Sequence, residues 1–163
     1  MSEDKAPDAL KMMPYGFYSI TSCTSDDANA MVANWVTQAS FEPRLVALGL
    51  QKTCYTHGLL EKGGSFAVNI FSQEDSEAIM PFTKGRSKNP EKMKDAKYTQ
   101  APVTGCPVLD GAAAYVECRV VEIVDVGGDH DIVVGEVVGG DVMKEIEASE
   151  ALTLPKLGWS YAG

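Results

Sequence analysis

The chain has 163 residues, 45% of them hydrophobic, which suits one compact domain with a buried core. Its 23 acidic and 14 basic residues give a formal charge of -9, which disfavours binding to nucleic acid or an anionic membrane. No segment is long and apolar enough to span a bilayer, and the first residues lack a signal-peptide pattern. Four scattered cysteines and two histidines form no zinc motif, so we expect a cytoplasmic protein with reduced thiols and no metal centre.

Segments that mix β-branched and aromatic residues with small polar ones dominate the chain. Two stretches look helical: 55–63, and 72–85, where Ser72 is a credible N-cap and the helix is broken near Pro81. Many strands with few short helices predict a mainly β fold, an antiparallel barrel with helical decoration. The strand-like segments are 16–25, 29–40, 44–51, 65–72, 112–127 and 130–142.

The link between the second and third of these segments is more polar than a simple turn requires. We interpret TQASFEP (37–43) as a loop that joins VANWV (32–36) to RLVALGL (44–50). Its polar side chains, together with Asn34, suit the polar edge of a flat heteroaromatic ligand. The alternative is that they are strand-end and turn residues satisfied by their own backbone. The residues alone leave both interpretations open.

Two other segments suit an anion. QKTCYTHG (51–58) offers the charge of Lys52, the hydroxyls of Thr53 and Thr56, and the free N–H groups of a helix start, although many helix starts share these features. KGRSKNPEKMKDAK (84–97) is strongly basic. It is interpreted either as a solvated loop or as an attractor of a phosphate-bearing ligand.

The last two strands predict a long hairpin that turns around residues 127–129. The polar alternates Glu117, Arg119 and Glu122 are expected on one face of it. His130 follows the turn and is either a solvated residue or a functional one. The common nucleophile, P-loop, metalloprotease and dinucleotide motifs are absent from the sequence, so any chemistry is expected to come from a cofactor.

Several of these segments, in their order and spacing, resemble the flavin reductase-like family. The resemblance covers residues 15–142 and implies an FMN-binding split β-barrel, antiparallel and Greek-key-like. We therefore expect a domain over residues 15–163 and an N-terminal extension over residues 1–14. The matching segments are SFEP (40–43), LVALGL (45–50), KTCYT (52–56), FAVNI (66–70) and GDHDIVVGEV (128–137).

The resemblance also implies which residues form the site. The loop 34–37 would face the flavin ring, and residues near Lys52 would hold the ribityl chain and phosphate. Two departures from the family pattern matter: Cys54 replaces a serine, which removes a hydroxyl donor, and Arg44 replaces a proline. The implied residues are His130 for catalysis and Asn34, Trp35, Val36, Thr37, Gln51, Lys52, Thr53, Thr56 and Phe82 for cofactor binding.

The implied function is that of an oxidoreductase that binds FMN, or FAD, and takes a hydride from NADH or NADPH. Electrons would pass to flavin, iron or a partner protein. One alternative is an FMN-binding electron carrier that does not oxidise nicotinamide efficiently, and a weaker one is a barrel that has lost its cofactor. The resemblance further implies a homodimer, in which Trp159 and Tyr161 are either core anchors or part of a tail that reaches the partner's flavin pocket.

Overall fold

A seven-stranded antiparallel sheet forms the body of the protein, and the computed structural model describes residues 3–162 of the chain. A separate pair of short strands packs beside it. The strands are β1 (Tyr18–Cys23), β2 (Ala28–Ala33), β3 (Val36–Phe41), β4 (Arg44–Gln51), β5 (Ser65–Ile70), β6 (Tyr98–Gln100), β7 (Pro107–Leu109), β8 (Ala114–Val124) and β9 (His130–Val142). The α-helices are α1 (Ala6–Leu10), α2 (Tyr55–Gly63) and α3 (Lys92–Asp95), and the 3₁₀ helices are Ser76–Phe82, Ala148–Glu150 and Pro155–Leu157.

The order of the strands explains why the sheet closes on itself. In space they run β2-β1-β5-β8-β9-β4-β3, so β2 and β3 are the two edges. These edges are consecutive in the chain and are separated by Asn34 and Trp35 alone. Three Cα–Cα steps of about 3.8 Å join the end of β2 to the start of β3, so these two ends lie within about 11 Å of each other. The predicted mainly β, antiparallel barrel is therefore confirmed.

The barrel interior is apolar and tightly packed. Phe66, Leu48 and Leu50 are almost fully buried there, together with Val133. Gly135 on β9 makes room for the Phe66 ring, since a Cβ at that position would lie 2.6 Å from it. Large residues on one strand thus fit against a small residue on another, as close packing requires.

One helix prediction is confirmed and the other needs correction. α2 has the predicted bounds, and the next residue, Gly64, caps it with a left-handed φ of 68° that lets its N–H donate to Leu60 O at 2.9 Å. The stretch 72–85 forms a 3₁₀ helix over Ser76–Phe82, which starts four residues after the predicted N-cap and ends one residue after Pro81. Ser72 Oγ does accept the Asp75 N–H, at 3.2 Å, but it closes a turn before the helix.

The loop predicted over residues 37–43 is wrong, because most of it belongs to β3. β3 is an edge strand whose residues are exposed or half-buried, so its polar side chains face water without leaving the sheet. Thr37 Oγ1 donates to Gln38 O at 3.0 Å, which agrees with the alternative that these residues are satisfied by their own backbone. The chain actually breaks from strand structure at Asn34 and Trp35.

The β8–β9 hairpin forms as predicted, but Glu117 does not share the solvent face of Arg119 and Glu122. Its side chain is 1% exposed. A register shift between Glu117 and Cys118 turns the carboxylate inward, where it accepts hydrogen bonds from the loop that precedes β7. The prediction assumed that side chains alternate regularly along β8, and the bulge interrupts this alternation.

The predicted N-terminal extension, residues 1–14, contains α1. Residues 1 and 2 of the extension, and residue 163 at the end of the predicted domain, lie outside the described residues. The boundary between the extension and the domain stays a prediction. None of the helices described within residues 3–162 is long and apolar enough to cross a membrane.

Candidate functional site

A cavity of about 470 Å³ opens beside the connection between the two edge strands. Its volume lies within the roughly 300–1,000 Å³ that is usual for small-molecule sites. Residues from β2, the end of β4, the segment after the helix Ser76–Phe82, and the C-terminal segment enclose it. Of the residues predicted from the sequence, the cavity brings together Asn34, Trp35, Gln51, Phe82 and His130.

Three rings form one side of this cavity. The Trp35 ring lies 4.7 Å from that of His130 and 5.1 Å from that of Tyr161, measured between centroids. His130 Nδ1 is 2.7 Å from Asp129 Oδ1, and its Nε2 is 3.1 Å from Tyr161 Oη. A carboxylate can only accept, so Nδ1 carries the proton toward Asp129, and Nε2 in the neutral ring accepts from Tyr161. The imidazole is therefore held in a fixed orientation.

Gly49 on β4 sets the position of the Trp35 ring. Its N–H donates to Trp35 O at 2.9 Å, and a Cβ at Gly49 would lie 3.1 Å from Trp35 Cε3. The absence of a side chain at Gly49 thus lets the indole lie against the β4 backbone. The tryptophan is positioned by its neighbours before any ligand arrives.

Asn34 and the C-terminal segment meet at the same place. The Asn34 side chain is 6% exposed, and its Nδ2 donates to Tyr161 O at 3.2 Å. Trp159 packs edge-on against Phe17, with 5.8 Å between centroids. Trp159 and Tyr161 thus lie against their own chain, where they complete the wall of the cavity.

The sequence-based assignment missed Lys92, which lies on α3 and lines the cavity. Lys92 is 3% exposed, and among residues 3–162 its Nζ has one acceptor, Lys84 O at 3.0 Å, and no carboxylate at ion-pair distance. Burial, and secondarily the charge of Arg86, lowers the pKa of Lys92 from 10.5 to about 8. A buried cation without a counterion is costly, and such groups mark candidate sites for an anion.

Lys92 belongs to the basic segment 84–97, and two of its cations are folded into the protein instead of being solvated. Arg86 Nη1 donates to Ala28 O at 2.9 Å on β2. Its guanidinium lies 4.3 Å from the centre of the Tyr55 ring. The solvated-loop interpretation is therefore wrong for Arg86 and Lys92, although a run of lysines does not show which one is buried.

The remaining predicted residues lie elsewhere. Lys52 Nζ pairs with Asp125 Oδ1 at 2.7 Å, and that hydrogen bond raises the pKa of Lys52. Thr53 is exposed, and Thr56 is fully buried, where its Oγ1 accepts from Asn29 Nδ2 at 2.9 Å. Between them it is the half-buried side chain of Cys54 that lines the cavity.

Val36 and Thr37 also lie outside this cavity. They begin β3 and border a neighbouring apolar groove together with Ala47 and Ile132. Among residues 3–162, no group of three or more His, Cys, Asp or Glu side chains is arranged to hold a metal ion. The cavity therefore has an aromatic wall and two buried polar side chains from different parts of the chain, Asn34 and Lys92. Among residues 3–162, no carboxylate lies at ion-pair distance from Lys92.

Comparison with known proteins gives this arrangement a context. The family model described as the flavin reductase like domain matches residues 10–157. A ferric-chelate reductase (NAD(P)H) of Archaeoglobus fulgidus is 33% identical over 142 residues, which cover 86% of this chain and 83% of that protein. The diflavin flavoprotein A 1 of Synechocystis is 33% identical over 154 residues, and the chain spans only 26% of its length.

Among solved structures, the NADH:FAD oxidoreductase of Streptomyces globisporus matches with a TM-score of 0.72 and 27% identity, over 80% of this chain and 76% of that one. A second structure of that protein holds NAD and FAD fragments. An FMN-binding protein of Thermus thermophilus, at 24% identity and a TM-score of 0.75, has the same fold. These matches confirm the resemblance and the split-barrel fold that the sequence motifs predicted.

Proposed function

Since the chain belongs to the flavin reductase-like domain family, we propose that it is an FMN-dependent oxidoreductase that accepts a hydride from NADH or NADPH. The observation that carries the proposal is the single cavity in which Trp35, His130 and the buried Lys92 meet. The names of two relatives, a ferric-chelate reductase (NAD(P)H) and an NADH:FAD oxidoreductase, support the reaction class.

The residues around the cavity fit a flavin mononucleotide. Its ring system needs apolar and aromatic cover, which Trp35 and Met31 offer. The polar edge of the ring needs hydrogen-bond partners, and the buried Asn34 and the end of β4 at Gln51 provide them. The phosphate needs a cation, and Lys92 is a buried ammonium with no carboxylate at ion-pair distance among residues 3–162.

Each of these residues has a distinct task in the proposed reaction. Bound FMN supplies the hydride-accepting ring, which the protein itself lacks. Trp35 would cover the ring and exclude water, and Lys92 would balance the phosphate charge. His130, fixed between Asp129 and Tyr161, would position the incoming nicotinamide with no proton transfer required of it. Catalysis then rests on position and electrostatics.

The proposed electron acceptors are free flavin, ferric iron or a partner protein. Iron is supported by the A. fulgidus relative, which this chain covers over most of its length. In the second candidate function, that of an FMN-binding electron carrier, the electron acceptor is a partner protein. That candidate is favoured by the diflavin flavoprotein, in which the matching region is one part of a longer chain, and by a net charge of -9 that suits a basic partner.

We also propose a homodimer in the reducing cytoplasm. The apolar groove lined by Met13, Tyr18, Val36 and Ile132 supports self-association, because burying such a surface is favourable. The four free cysteines support a reducing compartment. Sedimentation velocity of the wild type and of Ile132→Lys tests the dimer, which the substitution is expected to dissociate.

Anaerobic mixing with a nicotinamide distinguishes the two candidate functions. The protein is loaded with FMN, freed of excess flavin, and mixed with NADH or NADPH while visible absorbance is recorded. Rapid loss of the flavin bands within the mixing experiment supports the oxidoreductase. Bound flavin that stays oxidised, yet is reduced by dithionite, favours the electron carrier. Failure to retain any flavin would overturn both proposals.

A further inference from the structure

Two of the four cysteines face each other across two elements of the fold. Cys23 ends β1 and Cys106 immediately precedes β7, and their Sγ atoms lie 4.0 Å apart although 83 positions separate them in the chain. The other two cysteines have different surroundings. Cys118 is buried in the barrel core, and Cys54 Sγ lies 3.9 Å from Met31 Sδ.

Hydrogen bonds beside the pair hold the two elements together. Thr21, two residues before Cys23, donates its Oγ1 to Pro107 O at 2.6 Å. Asn69 Nδ2 donates to the same oxygen at 3.3 Å. Pro107 is the neighbour of Cys106, so the two thiols are fixed close to each other. A disulfide needs its sulfurs about 2 Å apart, which side-chain rotation with a small backbone shift can reach.

The two thiols differ in access to solvent. Cys23 is half-buried and lines an open surface groove with Thr24 and Gly105. Cys106 is fully buried, and burial raises the pKa of its thiol to about 12. A solute therefore reaches Cys23 first, whereas Cys106 stays protonated behind it. An oxidant thus meets Cys23 first, and the second thiol lies 4.0 Å from it, within reach of an oxidised Cys23.

We infer that Cys23 and Cys106 form a reversible disulfide when the protein meets hydrogen peroxide. The Cys23 sulfur attacks one peroxide oxygen, the O–O bond breaks, and a sulfenic acid and one water result. The Cys106 sulfur then attacks the Cys23 sulfur, and the departing hydroxide takes the Cys106 proton as a second water. Two thiols and one peroxide thus give one disulfide and two waters, and the proximity of the thiols favours this closure over further oxidation.

The cross-link would join β1 to the segment before β7, far apart in the sequence. Closing so long a loop restricts the unfolded chain, so we expect oxidation to raise the thermal midpoint by about 5 °C or more. The site lies on the surface groove and not on the cavity proposed for flavin. The inference therefore goes beyond the proposed function and stands whether or not FMN binds.

Intact mass before and after peroxide tests the inference on the whole chain. Wild type and Cys54→Ser are each expected to lose about 2 Da, the mass of two hydrogens, and to regain it with dithiothreitol. Cys23→Ser and Cys106→Ser are expected to show no such loss. Peptide mapping of the oxidised wild type should find the peptide of Cys23 joined to that of Cys106, a result that holds even if a variant fails to fold.

Two results would overturn the inference. In the first, peroxide adds oxygen to wild type without a loss of two hydrogens. In the second, the mapped disulfide joins other cysteines or two separate chains. Loss of the 2 Da change in Cys54→Ser would also contradict it, because Cys54 lies outside the pair.

Discussion

Lys52 Nζ lies 2.7 Å from Asp125 Oδ1, and a second carboxylate, that of Asp131, lies at 3.8 Å. Two carboxylates thus already balance the charge of Lys52, the lysine that the family resemblance implies as a phosphate ligand. Lys92, on the cavity, has no such partner at ion-pair distance within residues 3–162. The two lysines are therefore distinguished by the charges around them.

Lys92→Met is expected to weaken FMN binding at least about tenfold, because hydrogen bonds to charged groups contribute roughly 1.5–3 kcal/mol. Lys52→Ala is expected to change it less than about threefold, since its charge is already paired with Asp125. Isothermal titration measures both, with Lys94→Met as the matched control on the exposed side of α3.

Riboflavin, which lacks the phosphate, should bind wild type and Lys92→Met equally. A larger loss in Lys52→Ala than in Lys92→Met would restore the assignment made from the sequence.

The same substitution is expected to stabilise the ligand-free protein at pH 7 by about 1–3 kcal/mol, because the fall in the pKa of Lys92 corresponds to about 3 kcal/mol. The folded pKa of about 8 is below the unfolded value of 10.5, so the unfolded chain binds more protons between these pH values. Wild-type stability from this group therefore rises across that window.

Urea unfolding of Lys92→Met and wild type at several pH values measures this effect. The advantage of the variant should be largest below pH 8 and fall as the pH approaches 10.5. An advantage that does not change over this range would contradict the assignment of the cost to a buried charge. Lys94→Met should show no comparable pH dependence.

Gly49→Ala is expected to weaken FMN binding about threefold to tenfold, the effect of a displaced contact worth roughly 1 kcal/mol. The added Cβ would lie 3.1 Å from Trp35 Cε3, so the indole must shift. Gly58→Ala is the control, because among residues 3–162 no atom lies within 4 Å of a Cβ there, and Gly58 is in α2. Gly58→Ala should leave FMN affinity unchanged and raise stability by about 0.5–1 kcal/mol. Equal FMN affinity in Gly49→Ala and wild type would show that Trp35 does not contact the flavin.

Glu117→Ala is expected to destabilise the fold by about 3–5 kcal/mol, because it leaves three hydrogen-bond donors without their acceptor at roughly 1–3 kcal/mol each. Glu117 Oε1 accepts from Thr104 N and from Thr104 Oγ1, both at 2.7 Å, and from Val103 N at 3.1 Å. Thr104→Val keeps the backbone donors and should cost only about 1 kcal/mol. Chemical denaturation measures both, and a loss below about 1 kcal/mol in Glu117→Ala would contradict this role.

Much of the fold follows from local patterns in the sequence. Alternating β-branched residues predicted the long strands, and the Gly63–Gly64 pair marked the end of α2 within a residue. Residues 37–41 of β3 fell within a strand-like segment in part but were also interpreted as a loop, because an edge strand that faces water is polar, as a loop is. The inward turn of Glu117 depends on a bulge, which alternation does not reveal.

The site was harder to predict because its residues come together only in three dimensions. Asn34, Trp35 and His130 were predicted through the family motifs, and the structure places them on one cavity. Lys92 was hidden in a basic segment, since a run of lysines does not show which one is buried. Tyr161 reaches His130 across 31 positions, a contact that no local spacing encodes.

The measurement that tests the flavin site most directly is an FMN titration followed by tryptophan fluorescence. The chain has two tryptophans, Trp35 and Trp159, and both line the cavity. We expect a saturable loss of most of the emission at one FMN per chain, in wild type and in Trp159→Phe alike. Emission that FMN leaves unchanged, or that falls only in proportion to added FMN without saturating, would contradict binding of the flavin in this cavity.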